Sequence, residues 1–370
     1  MRLESLQLLH FRNYPHLKLD TRAPVNVFIG ENGQGKTNVL EAIDILALTK
    51  SHRTHRLAEC IQWGEQSALI EGRVQRKTGS SELSVTLTSS GKRAAVAGVE
   101  RPRISDYVGM LNVVLFTPED LQLIKGSPQV RRRFLDMEIG QISPVYLRDL
   151  QQYVRTLSQR NQLLKSANAN PTERITDTLD IWDDQLARHG SRVILRRAKF
   201  VRTLERHARE IHSRVSGDRE VLSLSYAKVS PEQTPEQVFQ MYLHELRARR
   251  SLDLARGMTS VGPHRDDLVI LLNDREAAAF ASQGQQRTAA LSLKLAEIEL
   301  IREEVGEYPV LLLDDVLSEL DPVRQVHLVS AMGAQVQTFL TTTHLEGLGS
   351  LAGALQVFVV EAGQIRAKTP

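Results

Sequence analysis

The 370-residue chain has one cysteine, Cys60, which excludes an internal disulfide and leaves that residue its default role as a small apolar filler. No apolar run approaches the roughly 18 residues of a membrane span, which excludes a transmembrane helix. The opening segment, MRLESLQLLHFRN, alternates like a short strand and has no signal-peptide core, so a cytoplasmic location is expected. Aromatic residues make up only 5% and are not interleaved with basic ones, which argues against base stacking on single strands. Excess charge is small, at +3. His52 and His55 have no cysteine nearby and no second pair at ligand spacing, so they do not form a metal site. With 41% hydrophobic and 25% charged residues the composition is that of an ordinary globular protein, long enough for two lobes.

What is present starts with GENGQGKT, residues 30–37, which fits the phosphate-binding pattern G-x-x-x-x-G-K-[ST] at every fixed position. The preceding VNVFIG is short, apolar and β-branched and reads as a buried strand. The following residues 36–47 place Val39, Leu40, Ile43, Leu46 and Ala47 at helical spacing. The loop therefore lies between strand and helix, the context such a loop needs. Gly30, Gly33 and Gly35 let backbone N–H groups approach phosphate, with Glu31, Asn32 and Gln34 completing the loop. Lys36 is expected on the β- and γ-phosphates of ATP and Thr37 on Mg²⁺. Far downstream, VLLLDDVLSELD (310–321) is an aliphatic strand ending in two carboxylates. Asp314 is the expected second Mg²⁺ ligand. Asp315 points elsewhere and is placed to polarise an attacking water.

Along the chain, SALIEGRVQR, SELSVTLTSS and KRAAVAGVE alternate like antiparallel strands, and LNVVLFT reads as another. TPED opens a helix with Pro118 in the first turn. Residues 118–257 are mainly helical, with an apolar seam of Val201, Leu204, Ala208, Ile211 and Val215 and a lone strand, LSLSYA. From 258 strands and helices alternate again. The expected architecture is thus α/β: a discontinuous P-loop ATPase lobe from 1–117 and 258–370, with antiparallel strands, interrupted by a helical lobe at 118–257.

ASQGQQRT (281–288) starts a long helix about thirty residues before the acidic strand. Ser282, Gly284 and the helix N-terminus make a second anion site. One ATP has no use for two such sites in one lobe. Two copies, head to tail, would use both, the loop of one and the helix of the other enclosing the same γ-phosphate. SELD (318–321) would lie at that interface. TTTH ends at His344, which is either a γ-phosphate contact or a structural residue. His264, in VGPHRDD, is equally open between a structural turn and an interface position. For DNA, the phosphate-facing candidates are Lys50, His52, Arg53, His55 and Arg56, with the arginines that crowd the helical lobe at Arg131, Arg132 and Arg133, from Arg188 to Arg209, and at Arg247, Arg249 and Arg250.

The order GENGQGKT, SQGQQR, LLLDDVLSELD and TTTH resembles the ABC-type ATPase heads of the SMC class. With FRNYPHLKLD, LFTPEDLQLIKGSPQVRRRFLD and VGPHRDD, the whole chain resembles the RecF family, an SMC-like head without a long coiled coil. That resemblance implies a weak ATPase that forms ATP-dependent dimers on duplex or gapped DNA. It also implies action with RecR and RecO at single-strand gaps, where RecA is loaded. It puts the signature role on Ser282, Gly284 and Gln285, the switch role on His344, and a nucleotide approach on Arg12 and Asn13. Gln283 departs from the transporter signature SGGQ, and Asp315 stands where a glutamate is usual, which implies slow hydrolysis. The lobe-switch glutamine has no obvious counterpart; Glu119, Asp120 and Gln122 are the alternatives. Competing readings are the nucleotide-binding subunit of a transporter and an ATP-bound scaffold for partner proteins.

Overall fold

The computed structural model describes residues 1–169, 174–226, 229–332, 335–344 and 355–368. In chain order its elements are β1 (Arg2–Phe11), β2 (Tyr14–Asp20), β3 (Val25–Ile29), α1 (Lys36–Leu48), β4 (Ser67–Arg76), β5 (Gly79–Thr88), β6 (Gly91–Val96), β7 (Val99–Glu100) and β8 (Val113–Phe116). Then come α2 (Leu121–Lys125), α3 (Pro128–Ile142), α4 (Pro144–Ala169), α5 (Arg174–Ser216), β9 (Leu222–Tyr226), α6 (Pro235–Ala248), α7 (Arg250–Arg256), β10 (Leu268–Leu272), β11 (Arg275–Glu276) and α8 (Ala277–Phe280). Last are α9 (Gln283–Val305), β12 (Val310–Asp314), α10 (Pro322–Ala331), β13 (Thr338–Thr342), β14 (Leu355–Glu361) and β15 (Gln364–Ala367).

The chain divides into two compact units, one from 1–121, 210–220 and 283–370, the other from 122–209 and 221–282. This division differs from the boundaries drawn on sequence at 117/118 and 257/258. Residues 258–282 cluster with the helical unit because β10 pairs antiparallel with β9, Leu268 opposite Tyr226 and Leu272 opposite Leu222. Alternation alone says that DDLVILLN is a strand but not which strand it pairs with.

In the first unit an antiparallel sheet runs β2-β1-β4-β5-β6-β7 and a mainly parallel one runs β15-β14-β3-β13-β12-β8. The parallel strands are unbroken apolar runs because both faces are covered. Every residue of β12 and β13 is buried, and so are all of β3 except Ile29. The register aligns their ends: Thr342 lies beside Ile29, Asp314 beside Thr341 and Phe116 beside Leu313. Ligands of such sheets sit outside the carboxyl ends of the strands.

The second unit combines α3, α4, α5 as far as Arg209, α6 and α7 with the small sheet β11-β10-β9. It contains fully buried charge. Arg160 donates to Asp183 at 2.7 Å and to Asp253 and Thr259 at 2.8 Å each. Arg197 donates to Asp136 and to the Pro263 carbonyl, both at 2.7 Å. Among the described residues, no helix is long and apolar enough to cross a membrane.

Candidate nucleotide site

The loop after β3 needs its glycines for distinct reasons. Gly33 and Gly35 have φ of 81° and 113°, which L side chains rarely adopt. A Cβ on Gly30 would run into the Val360 carbonyl, and one on Gly35 would lie 2.5 Å from Asn13 Nδ2. The loop is also held from outside. Asn13 Nδ2 donates to the Gln34 carbonyl (3.0 Å) and Tyr14 Oη to the Gly35 carbonyl (2.9 Å). Ala362 N donates to Gln34 Oε1 (2.7 Å). Turns β1–β2 and β14–β15 therefore buttress the loop from two directions.

Lys36 Nζ donates to the carbonyls of Gly30 (2.6 Å) and Glu31 (2.8 Å), so it lies across the mouth of the loop. Burial lowers its pKa, opposed by the negative charge of Asp315 and Asp314. Thr37 Oγ1 donates to Asp314 Oδ1 at 2.9 Å. Thr341 Oγ1 donates to the same oxygen at 2.8 Å and accepts from Asp315 N at 2.9 Å. Asp315 itself has φ of 51°. One threonine thus ties the Asp314 carboxylate to the backbone of Asp315 at a left-handed bend, and both carboxylates act on Lys36. A hydroxyl and a carboxylate beside a phosphate loop are the hard oxygen donors that Mg²⁺ takes, with room left for phosphate oxygens and water. Among the described residues no cluster of three or more His, Cys, Asp or Glu offers a competing metal site.

Other expected site residues are placed differently. Arg12 forms a fork with Glu41, Nε to Oε2 at 2.9 Å and Nη2 to Oε1 at 2.7 Å. Glu41 is fully buried on α1 and also accepts from Ser51 (2.6 Å) and Arg53 (3.2 Å). Burial disfavours its charge, but these hydrogen bonds and the Arg12 and Arg53 charges outweigh it and hold the carboxyl below its usual range. Gln285 donates to Glu220 (2.9 Å), and Gly284 lies in the first turn of α9 with its carbonyl accepting from Arg324 (2.8 Å). Ser282 is exposed immediately before that helix. His344 is exposed past β13, its Nδ1 2.8 Å from Thr343 Oγ1. Of the lobe-switch alternatives, Asp120 caps the turn after β8, accepting from Thr117 N at 2.8 Å, while Glu119 and Gln122 are exposed.

Several cations offered to DNA are engaged inside the protein. His52 faces inward, its Nδ1 3.0 Å from Asp44 Oδ2. Burial works against its charge, but Asp44 prevails and its pKa is raised. Arg131 is paired bidentately with Asp267 at 2.7–2.8 Å, and Arg250 reaches Asp180 and Asp183 at 2.6 Å each. Lys50, His55 and Arg56 remain exposed. His264 accepts from or donates to Tyr153 Oη at 2.6 Å and lies 3.1 Å from the Thr259 carbonyl; burial pulls its pKa down to about 4, so this ring is neutral. Sequence reading did not single out Tyr14, Glu41, Thr341 as a shared partner, or Arg324. Their roles come from pairings across about ten to forty residues, between different elements, and no local pattern marks them.

A family model described as the RecF/RecN/SMC N terminal domain matches residues 2–366. The chain is 50% identical to the DNA replication and repair protein RecF of an Exiguobacterium species, over 100% of both chains. It is 47% identical to that of Enterococcus faecalis, over 99% of this chain and 98% of the relative. A solved structure of the recombination mediator protein RecF-ATPrS in the RecFOR pathway superposes with a TM-score of 0.92 at 33% identity, covering 100% of this chain and 98% of that one. An SmcHead bound to the C-winged helix domain of ScpA superposes with a TM-score of 0.56 at 15% identity, a likeness of fold alone. The fold is that of an SMC-type, ABC-class ATPase head.

Proposed function

Because the chain belongs to the RecF family of SMC-like ATPases, we propose that it is an ATP-gated DNA-binding protein of recombinational repair. The observation that carries this reading is the meeting of Thr37 and Asp314 beside a complete phosphate loop. A 33%-identical protein solved as RecF-ATP supports the choice of nucleotide.

In this reading the loop amides of 30–37 and Lys36 hold the phosphates of ATP, and Lys36 exchanges its two carbonyl partners for phosphate oxygens. Thr37 and Asp314 hold Mg²⁺, whose chemistry is charge neutralisation on the β- and γ-phosphates. Asp315 orients and deprotonates the attacking water, and its short side chain keeps turnover slow. Ser282 and the first turn of α9 in a second copy cover the γ-phosphate, with His344 approaching from the end of β13. ATP thereby joins two copies head to tail on duplex or gapped DNA, and hydrolysis separates them. RecR and RecO are the expected protein partners, and loading of RecA at single-strand gaps is the expected outcome, since relatives are described within the RecFOR pathway. A cytoplasmic setting follows from that role.

The test is binding of a labelled gapped duplex with ATP, with ADP and without nucleotide, across a salt series. Tighter binding with ATP alone, falling steeply with salt, is expected. Binding that ignores nucleotide would overturn ATP gating.

A further inference from the structure

The SELD segment and the first turn of α9 come from separate stretches of chain, and Arg324 joins them. Its Nε donates to Thr288 Oγ1 at 3.0 Å. Its Nη2 donates to the same hydroxyl at 2.7 Å and to the Gly284 carbonyl at 2.8 Å. Its Nη1 pairs with the Asp321 carboxylate, whose other oxygen caps α10 by accepting from Arg324 N at 3.1 Å. All five donors of a guanidinium lie in one plane, so two branches fixed on α9 and one on Asp321 leave it no second orientation.

The loop between Asp315 and α10 is tied to the same post. Ser318 Oγ donates to the Asp315 carbonyl at 2.8 Å. Gln325, the next residue after Arg324, donates from Nε2 to the carbonyls of Leu317 (2.8 Å) and Leu320 (3.0 Å). Hydrogen bonds and the covalent links between neighbouring residues therefore connect the backbone of Asp315, through the SELD loop and the start of α10, to the backbone of Gly284. Among the described residues outside its own helix backbone, Gly284 has only Arg324 near the place where a Cβ would stand, at 3.6 Å. The guanidinium packs against the signature turn where that turn has no side chain of its own.

We propose that Arg324 is a positioning residue that locks the SELD loop and the signature turn into one rigid face, so that both meet the nucleotide of a second copy together. This rests on the head-to-tail reading given above. The hydrogen bonds of Arg324 go to Thr288, Gly284 and Asp321, none of them in the phosphate loop or the Thr37–Asp314 pair, so it acts through Gly284 and Asp321. Its removal would leave each subunit able to hold ATP but unable to present the two elements in fixed spacing.

The experiment compares the parent protein with R324A, R324K and T288V, each with and without D315N to block turnover. Equilibrium binding of a fluorescent ATP analogue at low protein concentration reads the single subunit, and sedimentation equilibrium with ATP reads the dimer. R324A is expected to hold the analogue within about twofold of the parent and to dimerise at least about tenfold more weakly. R324K keeps the charge but not the fork, so it should not rescue. T288V removes one acceptor and should weaken the dimer in part, non-additively with R324A. If R324A fails to fold, T288V still decides: a dimer of parental strength for T288V together with R324K overturns the proposal. Parental dimerisation by a folded R324A overturns it directly while leaving the head-to-tail reading intact. A parent protein that stays monomeric with ATP overturns both.

Discussion

Thr37 and Asp314, separated by 277 positions, share a hydrogen bond of 2.9 Å. The contact holds only while β3 and β12 keep their places on either side of β13. The pair is the expected metal seat. Asp314→Ala should lower Mg²⁺-dependent ATP turnover by about 100-fold or more, because the remaining hydroxyl is a weak ligand alone. A magnesium titration of turnover checks this, and an unchanged magnesium requirement would remove Asp314 from the seat.

Asp315 is assigned the water. Asp315→Asn keeps the size and the backbone bend at φ of 51°, a conformation asparagine tolerates. ATP-driven dimers should persist and turnover should fall to background. Steady-state phosphate release beside sedimentation separates the two, and parental turnover would reject Asp315 as the base.

Gly35 cannot become alanine without displacing Asn13 and Tyr14, and its φ of 113° is strained for any side chain. Gly35→Ala should weaken ATP binding at least about tenfold while sparing the antiparallel sheet, since the strain falls on the loop. Calorimetric titration with ATP, with circular dichroism as the control for folding, gives the answer.

Glu41 joins Arg12, Ser51 and Arg53 with no exposure of its own. Glu41→Ala leaves a half-buried arginine without its fork and should destabilise by about 3–5 kcal/mol. Its carboxyl is held below the usual value, so its contribution is complete above the unfolded pKa of 4.5 and is lost as pH falls through the lower, folded one. Melting temperature against pH for parent and Glu41→Gln should therefore converge in acid and separate near neutrality.

His264 titrates in the opposite sense to a salt-bridged histidine. Its folded pKa, near 4, lies below the unfolded 6.5, so the unfolded chain takes the proton first. Stability should fall as pH drops from 6.5 towards 4. His264→Gln should be less stable at pH 8, for want of its bonds to Tyr153 and Thr259, but should show a shallower decline across that window. A decline of parental steepness would place the acid sensitivity elsewhere.

The phosphate loop, its strand and helix, and the acidic strand were all legible, because each is written in a contiguous stretch with its own periodicity. So were the strand at 222–226 and Pro118 in the first turn of a helix. Partners were not legible. A basic side chain in a list looks like a DNA contact until its acid is located. Arg197 finds Asp136 and the Pro263 carbonyl, and Arg131 finds Asp267, only after folding. Arg12, expected near nucleotide and not on DNA, likewise has a partner that its own stretch does not reveal, Glu41 on a different element. The pairing of β10 with β9 shifted residues 258–282 into the helical unit for a similar reason: alternation reports a strand, while its neighbour is a tertiary fact.

Strand β3 lies between β13 and β14, so neither of its hydrogen-bonding neighbours exists until more than three hundred further residues have been made. During synthesis the apolar VNVFI and the loop after it leave the ribosome long before anything can cover them. Vectorial synthesis thus exposes an unpaired, aggregation-prone strand for most of the time the chain is being made, and chaperone capture is the expected safeguard. The same arrangement ties competence to completion. Asn13 and Tyr14 are in place early, but Ala362 closes on Gln34 only at the last, so a ribosome that stalls before β13 releases a chain with the phosphate-loop sequence and no nucleotide site.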